Sequence, residues 1–266
     1  MVFVTGTDTG IGKTLLTALL LTHLRQRRVP SLAIKPFCSG SRADALLLHR
    51  LQEGALPLDK INPFFFPEPV APFVAACKPR RSIHLDEVVA RIRAVASRLS
   101  QSNTKNEESR RANSVLLIEG AGGVMVPLGF PYCFLDLIRE LRCEVIVVSR
   151  NKLGTLNHTL LTIQALEHAC PHLRRRVIPN QNVWWSRQKA RPAKLKGPKN
   201  RTSAKVVLME QLRGDSSAKT NPALLSQFLR PVSLYTLPFF GGKLDSPQTI
   251  EKIAKKIEKT LAQILD

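Results

Sequence analysis

Lys13 and Thr14 end a glycine-bearing run, Thr5-Gly6-Thr7-Asp8-Thr9-Gly10-Ile11-Gly12-Lys13-Thr14, set between a short apolar stretch and a leucine-rich one. Glycines let backbone N–H groups converge on an anion with no Cβ in the way. A lysine at this place brings a mobile charge to the β- and γ-phosphates of a nucleotide, and a threonine hydroxyl is a hard oxygen ligand for Mg2+. The stretch from Leu15 reads as a helix, whose N-terminus adds the positive end of its dipole. The spacing is irregular. Five residues separate Gly6 from Gly12 where the common phosphate loop has four, and Thr7 stands where that loop has glycine.

Three further stretches hold the other residues suited to chemistry. Lys35-Pro36-Phe37-Cys38-Ser39-Gly40-Ser41 precedes Asp44, Glu119-Gly120-Ala121-Gly122-Gly123 follows an apolar run, and Lys152-Leu153-Gly154-Thr155-Leu156-Asn157 follows another. A carboxylate at a strand end beside a phosphate loop is a metal-organising position. Thr14, Asp44 and Glu119 are thus the candidate Mg2+ set, with Lys35 close by. Two lysines facing the phosphates suit negative charge on an acyl phosphate or carbamate during phosphoryl transfer. Plainer roles compete for some of these residues. Asp44 also complements a helix dipole, Asn157 also caps a helix, and His158 and His168 read as core or surface histidines. Cys38 has no neighbouring base in sequence, and Phe64 to Phe73 read as core aromatics.

Alternating strands and helices must position these stretches. Strand patterns occupy residues 1–4, 31–34, 114–118, 144–149, 175–178 and 232–237. Helical patterns occupy 15–25, 43–51, 85–99, 135–141, a run through His168, and a last helix from the Ser246-Pro247 cap to Leu265. The alternation predicts an α/β fold: a mainly parallel sheet flanked by helices, in one domain over 1–266. Parallel strands end on one side, so the four chemical stretches share the ligand-binding edge of the sheet. Residues 57–81, rich in proline and phenylalanine, read as a loop over a pocket or against the sheet, and 100–113 as a solvated connector.

The formal charge of +20 raises affinity for anionic surfaces in general. Much of it is local: residues 172–205 hold eleven Lys or Arg, no Asp or Glu, and both tryptophans, Trp184 and Trp185. Residues 182–205 lack a helical or strand period and read as an exposed or irregular insertion, ahead of a nucleic-acid contact. Cys38, Cys77, Cys133, Cys143 and Cys170 are scattered with no paired spacing, which fits free thiols in a reducing compartment; the cytoplasm is expected. Neither a membrane span nor a secretory leader is expected.

Taken together, the motifs closely resemble the dethiobiotin synthetases. That family has a phosphate loop of the form Gly-Thr-Asp-Thr, two residues, Gly-Lys-Thr, matched here from Gly6 to Thr14. Its Lys-Pro-x-x-Ser-Gly is present as Lys35, Pro36, Ser39 and Gly40, and its Asp-Ala as Asp44-Ala45. Glu-Gly-Ala-Gly-Gly stands at Glu119 to Gly123, and Lys-Leu-Gly-x-x-Asn-His at Lys152 to His158. The resemblance covers roughly the first 170 residues, in order.

The resemblance implies a P-loop ligase that closes the ureido ring of dethiobiotin from 7,8-diaminononanoate, CO2 and ATP, with Mg2+. It places Gly10, Ile11, Gly12, Lys13, Thr14 and Leu15 on the triphosphate, and Thr14, Asp44 and Glu119 on the metal. Gly120, Ala121 and Gly122 join the nucleotide site. Lys35 and Lys13 would be catalytic, and Thr9 and Ser39 would face the substrate. Gly154, Thr155, Leu156 and Asn157 would receive the far carboxylate of the diamine from a partner subunit, so a homodimer is implied. Asn180 would read adenine, with Pro238, Phe239 and Phe240 lining the base pocket. Two features depart from the family: the basic run Arg174 to Pro179 stands before Asn180, and Phe73 replaces a common histidine. Two other readings compete. One is another P-loop ATPase, although a partition-type enzyme would carry a second lysine where Thr7, Asp8 and Thr9 stand. The other is an inactive ligase fold that binds nucleic acid.

Overall fold

The structure, a computed structural model, describes residues 1–77, 82–101, 114–173, 204–212, 215–242 and 244–266. β1 (Val2–Gly6) is buried along its whole length. So are β2 (Ser31–Ile34) and the centres of β5 (Val115–Glu119) and β8 (Glu144–Arg150). Strands covered on both faces read as unbroken apolar runs, and this continuity marked them in the sequence. With β9 (Ala204–Met209) and β10 (Ser233–Leu237) they form one sheet of order β10-β9-β8-β1-β5-β2, every pairing parallel. β1 is the hinge of this order: β5 and β2 lie on one side, β8 to β10 on the other. A ligand crevice forms at the carboxyl ends of strands where the order turns in this way.

Helices cover both faces. α1 (Lys13–Gln26) follows β1 directly and buries Leu16, Leu19, Leu20 and Leu21. α2 (Ala43–Leu51), the short α3 (Leu58–Ile61) and α4 (Pro72–Cys77), and the amphipathic α5 (Leu85–Gln101) follow. Between them β3 (Phe37–Ser39) and β4 (Phe64–Phe66) pair in parallel. Phe64 stacks on Phe37 at 4.8 Å, so the phenylalanine-rich loop is partly core. β6 (Pro127–Gly129) and β7 (Tyr132–Cys133) form a small hairpin ahead of α6 (Phe134–Leu141). α7 (Thr155–Ala169) follows β8, and α8 (Asn221–Phe228) follows β9. No helix among the described residues is long and apolar enough to cross a membrane.

Two expectations need correction. The last helix is two, α9 (Pro247–Lys256) and α10 (Glu258–Leu265), which meet at Ile257 with φ −115°. The bend lets Ile250 and Ala254 in one half and Leu261 and Ile264 in the other reach the core. The stretch read as irregular also ends too late, because Ala204 and Lys205 belong to β9 and are buried. Lys205 is tolerated there because its Nζ donates to Ile264 O at 2.8 Å, capping the end of α10. The expected strand at 175–178, Asn180, both tryptophans and most of 182–205 lie outside the described residues.

Candidate active site

The phosphate loop joins the end of β1 to the start of α1. Gly12 caps α1 with φ 103° and no side-chain cap bond, so the first-turn N–H groups remain available to an anion. The left-handed φ suits glycine there, and a Cβ would lie 3.1 Å from Met209 Cε at the end of β9, so the end of that side chain would have to shift. Lys13 is buried, and its Nζ donates to Asp8 O at 2.6 Å. Burial, and then the nearby Lys35, lower its pKa to about 8. From β8, Arg150 donates a guanidinium N–H to Gly10 O, so a third cation touches the loop.

Beside the loop, Lys35 at the end of β2 meets two carboxylates. Its Nζ lies 2.5 Å from Asp44 Oδ2 and 2.6 Å from Glu119 Oε1. Thr14 Oγ1 donates to the same Glu119 oxygen at 2.5 Å. Burial alone would lower the Lys35 pKa, but Glu119 and then Asp44 outweigh it and hold the ammonium above the usual lysine range. Glu119 is 1% exposed and its second oxygen, Oε2, is buried without a hydrogen-bond partner. An orphaned carboxylate oxygen, a threonine hydroxyl and the Asp44 carboxylate form a hard-oxygen donor set that fits Mg2+, an ion held by few protein ligands together with substrate phosphates.

These groups open into one cavity of about 560 Å³. Thr9 to Thr14, Lys35, Ser39, Asp44, Glu119, Ala121 and Gly122 all line it. Ser39 Oγ is buried there with no hydrogen-bond partner, a polar group left for a ligand. Pro69 to Pro72, within the proline-rich stretch read as a loop over a pocket or against the sheet, also line the cavity. Phe37 and Val126, which no motif singled out as site residues, line it as well. Cys38 also lines the cavity, but burial pushes its thiol up to about 11 and leaves it inert.

Other expected residues lie apart from the cavity. Leu15 packs against the core and Gly120 lies against the Phe3 ring. Pro238, Phe239 and Phe240 follow β10, two strands beyond β8, and do not line the cavity. Gly154 to Asn157 lie at the start of α7, with Gly154 as N-cap at φ 92° and no side-chain cap bond. Thr155 turns inward, its hydroxyl 2.7 Å from Ser149 Oγ, whereas Gly154 and Asn157 are exposed.

A family model described as an AAA domain matches residues 1–195, most of the chain. The ATP-dependent dethiobiotin synthetase of Anaeromyxobacter sp. (strain Fw109-5) is 39% identical over 168 residues, covering 62% of this chain and 69% of that protein. The enzyme of that name from Methanocaldococcus jannaschii is 36% identical over 168 residues, covering 63% and 74%. The one from Bacillus licheniformis is 38% identical over 167 residues, covering 61% of this chain; the match spans 65% of that protein's length, just under two thirds. Among solved structures, a chain of the MinC:MinD cell division protein complex from Aquifex aeolicus matches with TM-score 0.48 and 14% identity, covering 97% of this chain and 95% of that one. The family-model match over 1–195 includes the phosphate loop, Lys35 and Glu119, and on its relatives' identity and coverage the chain belongs to the ATP-dependent dethiobiotin synthetase family.

Proposed function

We propose that the protein is an ATP- and Mg2+-dependent ligase of biotin biosynthesis that closes the ureido ring of dethiobiotin from 7,8-diaminononanoate and CO2. One amine of the diamine adds to the carbon of CO2 and loses a proton, giving a carbamate. A carbamate oxygen then attacks the γ-phosphorus of ATP, and ADP leaves. The second amine attacks the carbamoyl carbon and loses a proton as phosphate leaves with the broken C–O bond, and the ring is closed.

The observation that carries this reading is the Lys35 ammonium, held by Asp44 and Glu119 in the same cavity as Lys13 and Thr14. A fixed cation beside the phosphate loop stabilises charge that develops on the carbamate and the transferred phosphoryl group. Lys13 and the N–H groups of Gly12 to Leu15 hold the phosphates. Thr14, Asp44 and Glu119 would hold an Mg2+, which would supply charge neutralisation to the nucleotide phosphates. Thr9 and Ser39 face the diamine. Lys35 is fully charged at neutral pH, so it stabilises anions and does not act as the base.

The turn Gly154 to Asn157 receives the far carboxylate of the substrate, and it does so for a second copy of the chain. Its absence from the cavity lining supports this, as does Leu153, 78% exposed beside it. The protein is therefore read as a homodimer, with five free cysteines that fit the cytoplasm. In the same reading Pro238 to Phe240 would line the adenine pocket, and Asn180, which lies outside the described residues, would read the base. Incubation with the diamine, ATP, Mg2+ and 13C-bicarbonate should place one labelled carbon in dethiobiotin, and unlabelled or absent product would refute the assignment.

A further inference from the structure

The turn at the start of α7 is held by residues far away in sequence. Asn151, wholly buried, donates its backbone N–H to Met209 O at 2.9 Å. Its Nδ2 donates to Glu210 Oε1 at 2.6 Å and to Ala218 O at 2.9 Å. Its Oδ1 accepts from Asn221 Nδ2 at 3.0 Å, and the same amide donates to Lys152 O and Ser217 Oγ, each at 3.2 Å. Leu153 N donates to Asp215 Oδ2 at 2.6 Å. Three successive residues leading into the turn are thus each tied to the stretch between β9 and α8.

We infer that Asp215, Glu210, Asn151 and Asn221 are positioning residues for the 152–157 turn, and through it for the carboxylate end of the substrate. The inference rests on the ligase reading, in which this turn receives that carboxylate. A turn built on an exposed glycine loses more freedom on ordering than most, so its orientation must be imposed from outside. A buried asparagine satisfies its donors and acceptor in one arrangement only, and hydrogen bonds to carboxylates are the stronger kind. Asp215 takes the Leu153 N–H, and the turn closes on itself where Thr155 N donates to Lys152 O at 3.1 Å. The Ser217 hydroxyl, and then Leu153 N, lower the Asp215 pKa, so its acceptor form persists across the neutral range. None of the four residues lines the cavity.

The test uses the full chain and three variants: Asp215→Ala, Asp215→Asn and the buried Asn221→Ala. Asp215 is exposed, so its variants are expected to keep the wild-type thermal midpoint. Asp215→Ala removes the bond to Leu153 N along with those from Ser217 N and Ser217 Oγ, and loss of the first should raise the KM for the diamine about tenfold and leave the KM for ATP unchanged. Asp215→Asn keeps an oxygen for Leu153 N and should restore most of the affinity. An unchanged diamine KM in Asp215→Ala, or an ATP KM rising in step with it, would overturn the inference. Failure of the ligase reading shows separately, as no diamine-dependent turnover in the wild type. Amide hydrogen exchange at residues 151–157 decides the positioning role without substrate: faster exchange in Asp215→Ala supports it, and unchanged exchange overturns it.

Discussion

Lys35 Nζ lies 2.6 Å from Glu119 Oε1, the one salt bridge of that carboxylate among the described residues. Removing one member of a buried ion pair strands the other, at a cost of about 3–5 kcal/mol. Lys35→Ala should therefore abolish turnover and also destabilise the fold by about that amount. Adding Glu119→Gln should recover much of the stability, since a neutral amide needs no counter-charge, but none of the turnover. Urea unfolding of the single and double variants, with phosphate release, checks both parts. A single variant as stable as the wild type would show that the pair is not buried in solution.

Thr14 and Glu119 share a hydrogen bond of 2.5 Å at the candidate metal site. Thr14→Ala should raise the Mg2+ concentration needed for half-maximal turnover at least about tenfold, the equivalent of about 1.4 kcal/mol. Chelation of divalent cations should abolish wild-type turnover, and added Mg2+ should restore it.

Gly12 and Gly54 separate conformational strain from crowding. Both have left-handed φ, 103° and 72°, but a Cβ at Gly12 meets Met209 whereas one at Gly54 meets nothing within 4 Å. Each alanine variant should cost about 1–2 kcal/mol from backbone strain. Gly12→Ala should cost more and lose nucleotide affinity, while Gly54→Ala keeps it. Thermal denaturation and binding of a fluorescent ATP analogue distinguish the two.

Buried His23 gives stability a pH dependence. Its Nδ1 has no hydrogen-bond partner, and burial, then Arg27, lower its pKa against the opposing pull of Glu258 and Asp266. Below the ordinary value of 6.5 the unfolded chain binds the proton more readily than the folded one, so this contribution makes stability fall as pH drops. The thermal midpoint should decline from pH 7 to pH 5, and the decline should be shallower in His23→Gln. Equal slopes would assign the effect to other groups.

Lys35 and Glu119 were readable in the sequence because each ends an apolar run, whereas Asp44 stands in the first turn of α2. Lys35 and Glu119 close β2 and β5, and parallel strands bring such ends together whatever their separation in sequence. The irregular loop spacing became informative only beside Lys35, Asp44 and Glu119. β9 was harder to place, because Lys205 interrupts its apolar pattern and finds its partner, Ile264 O, 59 residues away. The bond between Asn151 and Asn221 spans 70 residues and leaves no period in the chain. Pro69 to Ala71 belong to no helix or strand and so leave no period, and Pro72 only opens the short α4.

The most direct measurement of the central claim is phosphate release from ATP by the purified chain with Mg2+, with and without 7,8-diaminononanoate and bicarbonate. Release should require both the diamine and bicarbonate, at one phosphate per dethiobiotin formed. Release unaffected by the diamine, or none under any condition, would contradict it.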